Sequence, residues 1–135
     1  MQPHPEGGHY VEIYRSPLLT TIFFLLTAGE ISRWHRVRGA DEAWHFYEGD
    51  PLELLTAGER FERLERHALG RAGGGQYPVH VVPAGVWQAA RTTGDYTLVG
   101  CSVGPAFDFA DFEMARDNPA AAEQARRLPD AARFI

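Results

Sequence analysis

The sequence predicts an all-β domain, a sandwich or barrel of the jelly-roll type. Between Tyr10 and about Phe112, short runs rich in Ile, Val, Phe, Tyr, Trp and Thr succeed one another, and such branched or aromatic side chains suit a pleated, half-buried surface. Gly, Pro and Asp break these runs at short intervals, which is the punctuation of turns between strands. About nine such runs fall within roughly a hundred residues, the density of a sandwich or barrel.

Taken in order, the candidate strands are "YVEIYRS", "TTIFFLLT", "ISRWHRV", "EAWHFYEG", "PLELLTAG", "FERLERHAL", "YPVHVVPAG", "VWQAARTT" and "DYTLVGCSV". The segment "GRAGGGQYP" reads as a loop, because consecutive glycines ease a turn and stabilise no strand. After Met114 the character changes to "ARDNPAAAEQARRLPDAARFI". There Asp117 or Asn118 can cap a helix, Pro119 suits its first turn, the alanines favour it, and Pro129 is expected to stop it. A single domain over 1–135 follows, with its core at about 10–113 and a short C-terminal helix at about 117–128. A chain of 135 residues is long enough to bury a real core.

Bulk properties narrow the function. The net charge is -5 and the pI near 5.6, with no block of basic residues. That argues against nucleic acid and anionic membrane as partners and favours a small-molecule ligand. The single cysteine, Cys101, can form no internal disulfide and completes no zinc pattern, so a cytoplasmic location is expected. The opening "MQPHPEGGHY" lacks the features of a leader, and "TTIFFLLTA" falls far short of the ~20 residues of a membrane span.

Strand alternation assigns faces to the chemical residues. In "EAWHFYEG", Glu42, Trp44 and Phe46 share one face and Ala43, His45 and Tyr47 the other. His35 falls on the same face as Arg33 and Val37 unless a bulge intervenes.

Gly29, His35, Val37, Glu42 and Gly49 are spaced as in the first cupin motif, G-x5-H-x-H-x4-E-x6-G, with Val37 in place of the second histidine. "PAGVWQAART" follows the second motif, P-x-G-x2-H-x3-N, with Pro83 and Gly85 present, Gln88 at the histidine slot and Thr92 at the asparagine slot. Tyr77 occupies the position of its leading glycine. Together with "HPEGGHYVEIYRS", "WHRVRGADEAWHFYEGDPLEL", "VVPAGVWQAAR" and "DYTLVGCSVGPAFDFADFE", the chain resembles a cupin subfamily first described as a domain of unknown function, with an HPEGG opening as its hallmark.

The resemblance implies a double-stranded β-helix, the cupin jelly-roll barrel, usually a homodimer, similar to the epimerases that act on dTDP-4-keto sugars. It also marks a pocket inside the barrel around His35, Glu42 and Gln88. A catalytic first-row metal normally takes three or four strong side-chain ligands. Here the matching positions are His35, Val37, Glu42 and Gln88, of which valine cannot ligate and a neutral amide oxygen ligates weakly. The reading preferred from the sequence therefore requires no cofactor. His35 and Glu42 act as acid/base groups, while Gln88, Arg33, Trp44 and Thr92 contact the substrate. The expected function is isomerisation or epimerisation of a sugar-like or carbonyl-bearing metabolite.

Two alternatives stand beside it. One is a non-catalytic small-ligand binder. The other is an oxygenase or metal-assisted isomerase using a divalent Fe, Mn, Ni or Zn held by His35, Glu42 and Gln88. Several further groups have two readings each. Trp34, Trp44 and Trp87 fit a core as well as a ligand platform, and Arg36, Arg38 and Arg91 fit a solvated surface as well as an anion clamp. HPEGG reads either as a tight turn or as a source of pocket residues His4 and Glu6. Asp108, Asp111 and Glu113 read either as a cation site or as charges guarding a strand edge. The five tyrosines include no evident proton donor.

Overall fold

The computed structural model describes the whole chain, Met1–Ile135. Eleven strands form: β1 (Gln2–Pro3), β2 (His9–Ser16), β3 (Leu19–Thr27), β4 (Ile31–Val37), β5 (Asp41–Gly49), β6 (Leu52–Ala57), β7 (Leu64–Leu69), β8 (Val79–Val82), β9 (Trp87–Thr92), β10 (Tyr96–Gly104) and β11 (Phe112–Met114). They make two antiparallel sheets, ordered β1-β2-β3-β10-β5-β8 and β11-β4-β9-β6-β7. This is the double-stranded β-helix. Each run named from the sequence contains a strand; β1 and β11 are the additional short ones.

Apolar residues of both sheets meet between them. Phe24, Leu26, Trp44, Leu54, Val99 and Cys101 belong to this inner core, and burial of such side chains is worth about 1.5–3 kcal/mol each. A second core lies on the outer face of the five-stranded sheet, where Trp34, Leu55 and Trp87 meet Phe61, Ala125 and Phe134. All three tryptophans are therefore core residues.

The tail carries one short helix more than the sequence predicts. Helix α1 spans Pro119–Arg126 with the Asn118 side chain accepting from the Ala121 N–H at 3.2 Å. Helix α1 ends before Pro129, and Pro129 then opens a second helix, α2 (Pro129–Ala132). Proline's missing N–H costs nothing in a first helical turn. Helix α2 is tied to the sheet by the Trp34 indole N–H, which donates to the Ala131 carbonyl at 2.9 Å.

Alternation holds through the first part of β5, where Glu42 and Trp44 are buried and Tyr47 is half exposed. It fails in β4, whose pairing with β9 shifts between Ser32 and His35. Ser32 and His35 are both turned toward the barrel interior, and Trp34 is turned to the outer core. Two segments far apart in sequence occupy the backbone donors of this irregularity. The Arg33 N–H donates to the Glu6 carbonyl at 2.7 Å and the Trp34 N–H to the Phe134 carbonyl at 2.9 Å.

The Glu6 contact depends on the two glycines that follow it. Gly7 and Gly8 have φ of 114° and 71°, in the region that favours glycine. A β-carbon would strike the Ile31 carbonyl from Gly7 and the Leu25 carbonyl from Gly8. HPEGG is thus a turn that presses the N-terminal segment onto β3 and β4.

Candidate functional site

The turn brings two polar side chains to the mouth of the barrel. His4 and Glu6 line a cavity of about 70 Å³ together with His35 and Val37 of β4, Glu42 of β5 and Cys101 of β10. Aromatic side chains, Phe24, Phe107, Phe109 and Phe112 among them, form much of the rest of its wall. One side of the space is thus acid and imidazole, the other apolar.

Glu6 is the hub of the polar side. One carboxyl oxygen takes the Ser32 hydroxyl, while the other lies 3.3 Å from His4 Nδ1 and 3.3 Å from His35 Nε2. His35 Nδ1 stands 2.7 Å from the Arg33 carbonyl oxygen. A carbonyl can only accept, so the ring carries its proton on Nδ1 and presents Nε2 to the cavity. Phe112 stacks on the ring, with centroids 5.5 Å apart. His4 Nδ1 accepts the Glu6 backbone N–H at 3.2 Å, which places the neutral ring's proton on Nε2.

Glu42 is held from behind. The Trp44 indole donates to Gln88 Oε1 at 2.7 Å, and Gln88 Nε2 donates to Glu42 Oε1 at 2.9 Å. An indole N–H can only donate, so the Gln88 amide has one satisfactory orientation and its NH₂ faces Glu42. The Cys101 thiol lies beside Glu42.

Burial sets the protonation of these groups. It pushes the Glu42 carboxyl up to about 7, with the nearby Glu6 charge adding and His35, Gln88 and Cys101 opposing. Burial likewise raises Glu6 against the opposing influence of His4 and Ser32. It lowers His35 against Glu42 and lowers His4 against Glu6. Near neutrality the cavity therefore sets imidazoles shifted toward the neutral form beside a Glu42 carboxyl that still holds its proton in part of the molecules, placing base and acid forms in reach of one ligand.

The family model described as Cupin superfamily (DUF985) matches residues 1–115. The chain belongs to the cupin superfamily. Protein SO0799 from Shewanella oneidensis is 33% identical to this cupin, with a TM-score of 0.84, 97% of this chain and 89% of that one being covered. A hypothetical protein from Leishmania major is 32% identical, with a TM-score of 0.75 and coverage of 83% and 80%. A dTDP sugar isomerase from Desulfovibrio desulfuricans G20 shares the fold at 16% identity and a TM-score of 0.65, with coverage of 85% and 86%. No curated protein matches this cupin.

In this cupin the metal-ligand slots do not fit a metal. Val37 offers no donor, and Gln88 presents its NH₂ to Glu42 because its oxygen is held by Trp44. Turning that amide over would strand the buried indole N–H, at about 1–3 kcal/mol. No group of three or more His, Cys, Asp or Glu residues is arranged to hold an ion.

His35 and Glu42, the expected acid/base pair, line one cavity. The four expected substrate contacts do not. Gln88 and Trp44 are fully buried behind Glu42 and act on it as supports. Thr92 is buried against Thr97, their hydroxyls 2.7 Å apart. Arg33 leaves the His35 face because the β4 irregularity breaks the alternation that would have put it there.

The other basic candidates lie elsewhere. Arg36 covers the Trp87 ring at 4.4 Å and pairs with Glu113 at 2.7 Å, while Arg91 pairs with Glu53 at 3.1 Å. Arg38 pairs with Glu113 at 3.1 Å. The acidic string disperses: Glu113 serves these arginines, and Asp108 caps a short turn through the Ala110 N–H at 2.9 Å. His45 is turned away from the cavity, on the other face of β5 from Glu42.

The site residues that sequence reasoning left open or missed are His4, Glu6, Tyr10, Arg15 and Cys101. Tyr10 alone of the tyrosines lines the cavity, and Arg15 stands at its mouth, bonded to Glu12 and to the Phe107 carbonyl. The signal for the first two is HPEGG itself, a paired-glycine turn with a histidine and a glutamate in front of it.

Proposed function

We propose that the cavity isomerises or epimerises a small carbonyl-bearing, sugar-like metabolite by acid/base chemistry, without a bound metal. The observation that carries this reading is the convergence of His35 Nε2 with two buried carboxyls, Glu6 and Glu42, on one small space. Groups of opposite proton affinity in one dry site are the usual means of enolising a carbonyl compound near pH 7.

In this reading His35 Nε2 removes the proton from the carbon next to the carbonyl. The electron pair of that C–H bond moves into the carbonyl, whose oxygen takes a hydrogen bond from the protonated Glu42 carboxyl. When Glu42 passes its proton to that oxygen and takes back the proton of the hydroxyl on the original carbon, return of the His35 proton to the former carbonyl carbon gives the isomer; return of a proton to the original carbon from the opposite face gives the epimer. Tyr10, which lines the cavity, is assigned that second proton in this reading. Glu6 and the Arg33 carbonyl keep the His35 ring oriented.

The test is proton NMR in D₂O with a panel of keto-sugar nucleotides and free ketoses. Loss of one signal next to the carbonyl is expected, unaffected by chelator and abolished in His35→Ala and Glu42→Gln proteins that keep their fold. A panel member that raises the melting temperature with no exchange supports the binder instead. Activity lost to chelator and restored by one ion would overturn the metal-free mechanism.

A further inference from the structure

The polar side of the cavity is short of positive charge. Glu6, Glu12 and Glu42 line it, and the only fixed cation among the lining residues is Arg15, whose guanidinium is engaged by the Glu12 carboxylate and the Phe107 carbonyl. The chain contains no lysine to reach in from elsewhere. Glu6 and His35, 7% and 1% exposed, therefore face the space with no arginine paired to either.

At Glu6 the shortage becomes local. The Ser32 hydroxyl binds Oε2, which leaves Oε1 at 3.3 Å from both His4 Nδ1 and His35 Nε2. The tautomers set by the Glu6 N–H and the Arg33 carbonyl put a lone pair, not a proton, on each of those two nitrogens. Three acceptor atoms thus converge, and a proton on Glu6 can lie between its oxygen and only one of the nitrogens. An ammonium group brings three N–H donors and a positive charge. The rings of Phe24 and Phe112, each 5.8 Å from the His4 ring and lining the same space, add the aromatic surface that attracts a cation.

We infer that the substrate carries a protonated amine on the carbon next to its carbonyl: an α-amino ketone or aldehyde, of which an open-chain 2-amino sugar is the sugar-like form. The inference rests on the acid/base reading of this cavity given above. The ammonium sits against Glu6 Oε1, the carbon that bears it lies at His35 Nε2, and the carbonyl oxygen beyond meets Glu42. Each of the three polar groups thus takes a different part of one small ligand. The positive charge also makes the C–H at His35 more acidic. Isomerisation needs a hydroxyl on that carbon, whereas epimerisation does not, so the amine selects the epimer: His35 takes the proton, the electron pair passes into the carbonyl, and a proton returns to the same carbon from the opposite face. A carboxylate or phosphate in place of the amine would meet carboxyl groups and no free arginine.

The test uses three ligands that share an acetonyl group and differ in what it carries: aminoacetone an ammonium, butan-2-one a methyl, acetoacetate a carboxylate. Affinities are read by ligand-observed NMR titration at pH 7. Aminoacetone is expected to bind the wild type about 10-fold tighter than butan-2-one, with acetoacetate weakest. Glu6→Gln, checked for fold by circular dichroism, should bring aminoacetone and butan-2-one to within about 2-fold of each other. A second reading needs no variant: from pH 5 to 7, loss of protons from Glu6, Glu42, His4 and His35 makes the site less positive, so the wild-type preference for aminoacetone should grow by about 3-fold or more. Equal affinity for all three ligands, tightest binding of acetoacetate, a preference that survives Glu6→Gln, or one that falls as pH rises would each overturn the inference. Deuterium exchange at the ligand's CH₂ is scored apart. Preference for the amine without exchange supports the amine site and sinks the reaction, whereas exchange without preference sinks the inference alone.

Discussion

Replacing Glu42 by glutamine tests the electrostatics of the cavity through stability alone, whatever the substrate. The Glu42 carboxyl titrates at about 7 in the folded protein against 4.5 for its model value. A carboxyl raised in this way binds its proton more tightly in the folded than in the unfolded chain. The stability it contributes is therefore complete below pH 4.5 and is lost as pH rises through 7. A difference of roughly 2.5 pH units corresponds to about 3 kcal/mol, taken as an upper figure. Glutamine keeps an oxygen to accept from Gln88 and never ionises. Urea denaturation of both proteins at pH 5, 6, 7 and 8 should thus show the variant gaining on the wild type by about 2–3 kcal/mol between pH 5 and 8. Glu6, raised in the same direction, is present in both proteins and largely cancels from the difference. A difference that stays flat across this range would refute the claim that Glu42 is held protonated by burial.

Further outcomes follow from other contacts. Gln88→Leu removes the acceptor of the Trp44 indole and the donor to Glu42; a loss of about 2–4 kcal/mol is expected in urea denaturation, whereas Gln88→Glu should leave the indole bonded. Gly8→Ala forces a β-carbon at φ 71° into the Leu25 carbonyl and should lower stability by more than about 1 kcal/mol, read as a fall in melting temperature. His67 and His80 stack with centroids 3.8 Å apart, and burial lowers both. The stability they contribute is present above pH 6.5 and lost as pH falls below it, so His80→Phe should flatten the acid limb of the stability profile between pH 7 and 5.

The parts of the site readable from the sequence are those set by local rules. Glu42 and Trp44 face inward because β5 alternates without interruption there. His35 and Glu42 sit at motif spacings that survive folding unchanged. Arg33 was misplaced because the β4 irregularity is fixed by Glu6 and Phe134, one 27 residues before it and the other 100 residues after Trp34, and alternation within β4 carries no trace of either. The role of Gln88 was hidden for a related reason: only the Trp44 indole, on the opposite sheet, decides which end of the amide meets Glu42. Glycine chemistry made the HPEGG turn legible, but the direction in which His4 and Glu6 point emerges only when the turn lands on β3 and β4. Pro129 follows one helix and opens another, and only the first of these is legible in the sequence, because the second helix depends on Phe134 and the outer core.

The paired capture of the Arg33 and Trp34 amides brings the beginning and end of the polypeptide within reach of each other. Adjacent N–H groups bind the carbonyls of Glu6 and Phe134, so those two residues lie roughly 10 Å apart, a gap that a few residues can span. The protein is thus a natural candidate for circular permutation. Joining the two ends with a short flexible linker and opening the chain at Gly73–Gly75, where added β-carbons would meet nothing, should preserve the barrel and tether the segments that hold His35 in place.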